Sequence, residues 1–147
     1  MSGLIGQYAH GNEPSHHVAY LFRYSDRPWK TDETVRRICR ELYRPTPDGI
    51  CGNDDSGQMA AWYVFSVLGF YPVDPCGRGY VIGCPQVPGA TLDLPNGNRL
   101  VMTARNFSDE NTTVGSVSLD GRRLDDFRLG HADLLKGGQL VFEMTHR

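Results

Sequence analysis

Gly52-Asn53-Asp54-Asp55-Ser56-Gly57-Gln58-Met59-Ala60-Ala61-Trp62-Tyr63-Val64-Phe65-Ser66-Val67-Leu68-Gly69-Phe70-Tyr71-Pro72 is the stretch whose reading decides the fold. A glycine-framed acidic turn runs into a helix, and Pro72 stops it. At the helix mouth Asp55 or Ser56 is placed to cap, because a short side-chain oxygen reaches the first unpaired backbone N–H groups. The same N–H groups carry partial positive charge and keep a carboxylate ionised, the state a general base needs. Capping and base chemistry draw on the same residues here, and spacing alone does not separate them. The helix is apolar nearly all round, from Met59 through Leu68, so it has no solvent face and belongs inside a larger structure.

Upstream, Gly3, Gly6 and Gly11 mark residues 1–13 as loop. Pro14 suits a first helical position, and Ser15 to about Tyr24 reads as a helix with Val18, Leu21 and Phe22 on one face. Ser25-Asp26-Arg27-Pro28 breaks it. Trp29-Lys30-Thr31 opens the next helix, with Thr31 as the expected cap and Trp29 placed to be exposed. Val35, Ile38, Cys39, Leu42 and Tyr43 recur at helical spacing, and Arg36, Arg37, Arg40 and Glu41 fill the other side. Downstream of Pro72 the period changes to two. Tyr80-Val81-Ile82 and Thr91–Leu94 read as strands. Asn96-Gly97 is a hairpin signal, and Leu100, Met102 and Ala104 alternate inward on the returning strand. Val114–Leu119 is a further strand, followed by a turn at Asp120-Gly121. His131–Lys136 is a helical turn, and Leu140, Phe142 and Met144 mark a last strand. The expected fold class is therefore α+β: helices over 1–72, then a small, mostly antiparallel sheet over 73–147.

The bulk numbers narrow the function. The chain has 147 residues with 15 Lys+Arg against 17 Asp+Glu, a net charge of -2. That gives no electrostatic case for nucleic acid or an acidic membrane surface. No apolar run approaches the roughly 18 residues of a membrane span, and the first residues lack the pattern of a signal peptide. Cys39, Cys51, Cys76 and Cys84 form no C-x-x-C pair, which argues against a zinc site of the usual spacing.

Two clusters carry chemistry. In His10-Gly11-Asn12-Glu13-Pro14-Ser15-His16-His17, three imidazoles and a carboxylate fall within eight residues. Adjacent His16 and His17 point about 100° apart on a helix and share one metal poorly. Glu13 and Asn12 present oxygens that suit a hard cation such as calcium. Zinc, a structural role and polar substrate binding all stay open for the histidines. The second cluster is Asn53, Asp54 and Asp55, whose carboxylates suit glycoside hydrolysis if a partner acid lies nearby.

Gly6–His17, Pro28-Trp29-Lys30-Thr31, Pro47–Asp55 and Gly57-Gln58-Met59 through Pro72 together resemble glycoside hydrolase family 92, the calcium-dependent, inverting exo-α-mannosidases. The resemblance covers nearly the whole chain and is most specific over residues 6–75. It implies the C-terminal portion of a longer enzyme, in which an N-terminal β-sandwich precedes an (α/α)6 toroid; residues 1–72 would be the toroid's last helices. It implies a mannose-containing glycan as substrate, Ca2+ as cofactor, and a periplasmic or secreted location for the full-length enzyme. By motif, Asp55 matches the general base with Asp54 beside it, and Glu13 with Asn12 matches the calcium position. His10, Asn12, His16, His17 and Asn53 match pocket-lining positions. Asn53 stands where many members carry an acid. The family's general acid lies upstream of this sequence. The alternative is a non-catalytic carbohydrate- or calcium-binding piece.

Overall fold

A computed structural model describes residues 3–147; the first two residues of the expected leading loop lie outside them. The chain opens with a short hairpin, β1 (Leu4–Ile5) and β2 (Tyr8–Ala9). The region expected to form one helix from Ser15 is two 3-10 segments instead, Glu13–Ser15 and Val18–Tyr24. With three residues per turn, the buried positions of the second segment are Ala19 and Tyr20, while Val18 and Leu21 are exposed. The apolar face expected from an α-helical period is therefore the outer one.

Helix α1 (Trp29–Glu41) buries Val35, Ile38 and Cys39 as its period requires. Two local expectations fail on it. Thr31 is not the cap: the helix begins two residues earlier, and Thr31 is buried with its hydroxyl donating to the Tyr20 carbonyl. Arg36, expected in solvent, is buried and reaches Asp109 at 3.1 Å. Trp29 is partly covered by the Arg147 guanidinium, 3.6 Å from its ring.

Helix α2 (Gln58–Leu68) ends on Gly69, whose φ of 88° is one that glycine adopts without a Cβ penalty. A Cβ there would also press on Phe142 at 3.0 Å. The chain then turns through β3 (Phe70–Tyr71) into β4 (Gly79–Ile82), which pair antiparallel. Strands β5 (Gly89–Asp93) and β6 (Arg99–Arg105) form the hairpin expected at Asn96-Gly97. β7 (Thr113–Leu119) and β8 (Arg122–Arg123) form a second one. β9 (Arg128–Gly130) joins β4, helix α3 (His131–Leu135) follows, and β10 (Gly138–Thr145) closes the chain. The main sheet runs β5-β6-β10-β7-β8. It is mostly antiparallel, as expected, with one exception: β10 inserts antiparallel to β7 but parallel to β6.

The inward positions of β6 and β10 were legible by alternation: Leu100, Met102, Ala104, Leu140, Phe142 and Met144 are all buried. A second core gathers Tyr20, Val35, Ile38, Trp62 and Tyr71 between the helices. Asp32, fully buried, ties the two cores. It accepts from Arg23 at 2.5 Å and from the Val114 backbone N–H at 3.2 Å. Burial raises its carboxyl to about 7, against the pull of the Arg23 guanidinium. All four cysteines are free thiols, and Cys39 is a core residue, as expected. No helix among the described residues is long and apolar enough to cross a membrane.

Candidate active site

The acidic turn is a run of left-handed backbone. Asp55, Ser56 and Gly57 have φ of 47°, 58° and 94°. Such a run costs side-chain-bearing residues energy and persists where surrounding structure imposes it. The expected cap by Asp55 or Ser56 does not form, since the residue before the helix is Gly57 and no side chain caps from that position. Asp54 does the work from further back. Its carboxylate accepts from the Ala60 N–H at 2.9 Å, and its carbonyl accepts from Met59 at 3.2 Å. That leaves the Asp55 side chain uncommitted to the helix.

Across from it lies the Glu13 loop. Two glycines let the loops meet: a Cβ at Gly52 would fall 2.9 Å from the Gly11 carbonyl oxygen. The Glu13 and Asp55 carboxyls lie near enough at the surface for each to shift the other's proton affinity. Glu13, with the nearby charge of Asp54 adding to it, raises Asp55 from its ordinary value, and Asp55 lowers Glu13. The environment of Asp55 is thus set by a neighbouring carboxyl rather than by the helix terminus.

His10 and His16 lie behind these loops, sealed from solvent. The Tyr43 hydroxyl donates to the Met59 carbonyl at 3.1 Å, so it accepts from His10 Nε2 at 2.7 Å, and His10 Nδ1 then accepts from the Tyr8 hydroxyl at 2.8 Å. Burial, with a smaller contribution from His16, lowers His10 to about 3 and keeps it neutral. Burial also lowers His16. Trp62 packs edge-on against His10, ring centres 4.4 Å apart. His17, Asn12 and Asn53 are exposed and have no side-chain hydrogen-bond partner among the described residues. The structure therefore brings Glu13, Asp54 and Asp55 together at the surface, places His10 and His16 beneath them, and leaves His17, Asn12 and Asn53 at the rim. Gln58, Tyr8, Tyr43 and Tyr71 complete the network and were not singled out from sequence. Gln58 had a signal: it is the one amide heading an otherwise apolar helix.

No group of three or more His, Cys, Asp or Glu side chains poised for a metal occurs among the described residues. The surface pair of carboxylates is nonetheless an all-oxygen donor set, of the kind hard cations take. It supplies part of the six to eight oxygens such an ion needs.

A profile of the glycosyl hydrolase family 92 catalytic domain matches residues 1–146. The chain belongs to glycosyl hydrolase family 92. Among solved structures of the family, it is similar to a GH92 alpha-mannosidase from Bacteroides thetaiotaomicron in complex with mannoimidazole, at 44% identity and a TM-score of 0.95 over 100% of this chain and 19% of that one. It is also similar to a GH92 inverting mannosidase from Bacteroides thetaiotaomicron VPI-5482, at 41% identity and a TM-score of 0.86 over 95% of this chain and 19% of that one. An uncharacterized secreted glycosidase of Arthroderma benhamiae is 30% identical over 133 residues, 88% of this chain and 17% of that protein. The chain thus spans about a fifth of the length of these proteins.

Proposed function

We propose that this chain supplies the base side of a family 92 α-mannosidase active site, cleaving terminal α-linked mannose with inversion. Asp55 is the general base. The observation that carries this is its placement: exposed, on a left-handed turn, freed from capping by Asp54, and raised by the adjoining Glu13 carboxyl. A carboxyl raised above its ordinary range is a better proton acceptor than a free one, and such raised carboxyls recur at catalytic sites. In an inverting enzyme the base takes a proton from water as that water attacks the anomeric carbon, and the acid stands roughly 6.5–9.5 Å away. The acid comes from protein outside residues 3–147, as the family resemblance implies. In this reading residues 1–72 belong to the helical toroid and residues 73–147 form its β-rich neighbour. Of the periplasmic and secreted locations that the resemblance implies for the full-length enzyme, the secreted one fits the name of the Arthroderma benhamiae relative.

Glu13, with Asn12 beside it, would hold calcium. When bound, the ion supplies positive charge to the sugar's ring hydroxyls. Asn53 and His17 at the rim are placed to meet a glycan, while His10 and His16 shape the floor.

The test is a chimera in which residues 3–147 replace the matching fifth of the Bacteroides alpha-mannosidase. Asp55→Asn should lower kcat by about 10²–10⁴-fold, with unchanged melting, and a chelator should abolish activity that calcium restores. An Asp55→Asn chimera keeping more than about a tenth of the activity would sink the assignment.

A further inference from the structure

Glu13 and Asp55 are two like-charged side chains on loops far apart in the chain, and something behind them must hold the loops in register. The contacts converge on one residue. His16 follows the Glu13 turn directly, its backbone N–H donating to the Glu13 carbonyl at 3.0 Å. Its ring Nε2 donates to the His10 carbonyl at 3.0 Å, closing the loop on itself. A carbonyl oxygen only accepts, so Nε2 carries the ring proton and Nδ1 must accept. The donor it meets is the Gln58 side-chain amide at 3.0 Å. That amide also donates to the Tyr71 hydroxyl at 3.1 Å, so both of its N–H groups are committed. Gln58 opens α2, and its backbone N–H donates to the Asp55 carbonyl at 3.3 Å. One turn further, Trp62 Nε1 donates to the His16 carbonyl at 2.9 Å.

We infer that the His16–Gln58 hydrogen bond is a positioning clamp that sets the Glu13 loop against the Asp55 turn. Both partners act through other residues: neither His16 nor Gln58 bonds to a carboxylate, and each is one hydrogen bond from a backbone group of the residue it places. The catalytic meaning of the clamp rests on the functional reading above; the clamp itself rests on geometry. Its polarity is specific. Only a neutral imidazole with an unprotonated Nδ1 fits an amide donor, so residue 58 must donate. A methionine of equal length would fill the space and break the clamp. A glutamate would bring only acceptor oxygens to an acceptor nitrogen.

The experiment is NMR on the 147-residue chain. The Gly11 and Gly52 backbones touch, so a nuclear Overhauser contact between their α-protons reports loop register, and imidazole ¹⁵N shifts report the His16 tautomer. The wild type should show the Gly11–Gly52 contact and a neutral Nε2–H tautomer at His16. Gln58→Met should lose the contact while contacts between β6 and β10 persist. Gln58→Glu, of the same length and shape but with no N–H to offer Nδ1, should lose it too, a change that simple space-filling by residue 58 would not produce. Retention of the Gly11–Gly52 contact in Gln58→Met overturns the clamp. If that variant does not fold, an Nδ1–H tautomer of His16 in the wild type overturns it. Neither readout involves catalysis or a cation. Failure of the functional reading would appear separately, as an active Asp55→Asn chimera.

Discussion

The main sheet and the acidic-turn region differ in how completely each satisfies its own sequence. In β6 every second residue is buried and the rest face solvent, so the strand's pattern is met within the chain. In α2 nearly every residue is apolar, yet only Met59, Trp62 and Ser66 are buried. Tyr63 and Val64 remain 37% and 56% exposed, and Val18, Leu21 and Tyr24 add a second apolar strip. The sheet has the neighbours it was patterned for. The helical region carries more apolar surface than these residues cover, in a chain that spans about a fifth of its family relatives. An apolar residue is therefore a statement about a neighbour, and that neighbour need not lie in the same stretch of sequence.

The two regions are joined at Asp32, and the largest expected effect is there. Asp32→Ala would leave the Arg23 guanidinium buried without its carboxylate and the Val114 N–H without an acceptor. Removing one partner of a buried pair costs about 3–5 kcal/mol. Denaturant unfolding should show that loss. Asp93→Ala, which breaks an exposed pair with Arg99 in the sheet, should cost under about 1 kcal/mol. Equal losses from the two variants would mean that Asp32 is no special joint.

Acid should weaken the helical region next. The folded-state pKa of His10, about 3, lies below its ordinary value of 6.5. A neutral buried histidine then contributes stability that is fully present above pH 6.5. That contribution is lost as pH falls toward 3, because the unfolded chain takes up the proton first. Lowered His16 acts in the same direction, whereas raised Asp32 acts oppositely, gaining stability as pH falls from about 7. The comparison with His10→Gln isolates the histidine. The wild type should be the more stable at pH 7, and the gap should close between pH 6.5 and 4 in melting experiments. A constant gap would show that His10 is not held neutral by burial.

The same contrast explains what was legible beforehand. Alternation marked β5, β6, β7 and β10 because each has one wet face and one dry face. It did not reveal that β10 enters parallel to β6, since strand order is set by packing rather than by a strand's own pattern. The 3-10 geometry of Val18–Tyr24 was hidden because a short apolar segment satisfies either period. At the site, residue types pointed to Glu13, Asp54 and Asp55, which the fold does bring together. The division of labour between the two aspartates was not legible, because either could have capped a helix starting one residue away. The burial of His10 and His16 was equally hidden, since their partners Tyr8, Tyr43 and Gln58 are distant or looked like ordinary core and helix residues.

The smallest effect expected is a gain, and it separates the two regions by the residues they place at positive φ. Around the sheet those positions are largely taken by Gly97, Gly121, Asn106 and Asp120, residue types that tolerate the left-handed region, with Phe127 the exception. In the acidic turn Ser56 occupies it at φ 58°, with no side-chain hydrogen bond among the described residues to compensate. A left-handed conformation costs a residue with a Cβ roughly 1–2 kcal/mol, and glycine avoids that cost. Glycine gives back roughly 0.5–1 kcal/mol through the entropy of its unfolded chain. Ser56→Gly should therefore stabilise the protein by about 0.5–1 kcal/mol, while Asp120→Gly should gain nothing, because it loses the hydrogen bond that the Asp120 carboxylate accepts from the Gln139 N–H at 2.7 Å. Chemical denaturation of the two variants side by side decides it. A destabilised Ser56→Gly would mean that the hydroxyl holds the turn, and that the left-handed run is a supported structure rather than a strained one. A stabilised Ser56→Gly that also loosens the Gly11–Gly52 contact would show that the same strain helps to press the Asp55 turn against the Glu13 loop.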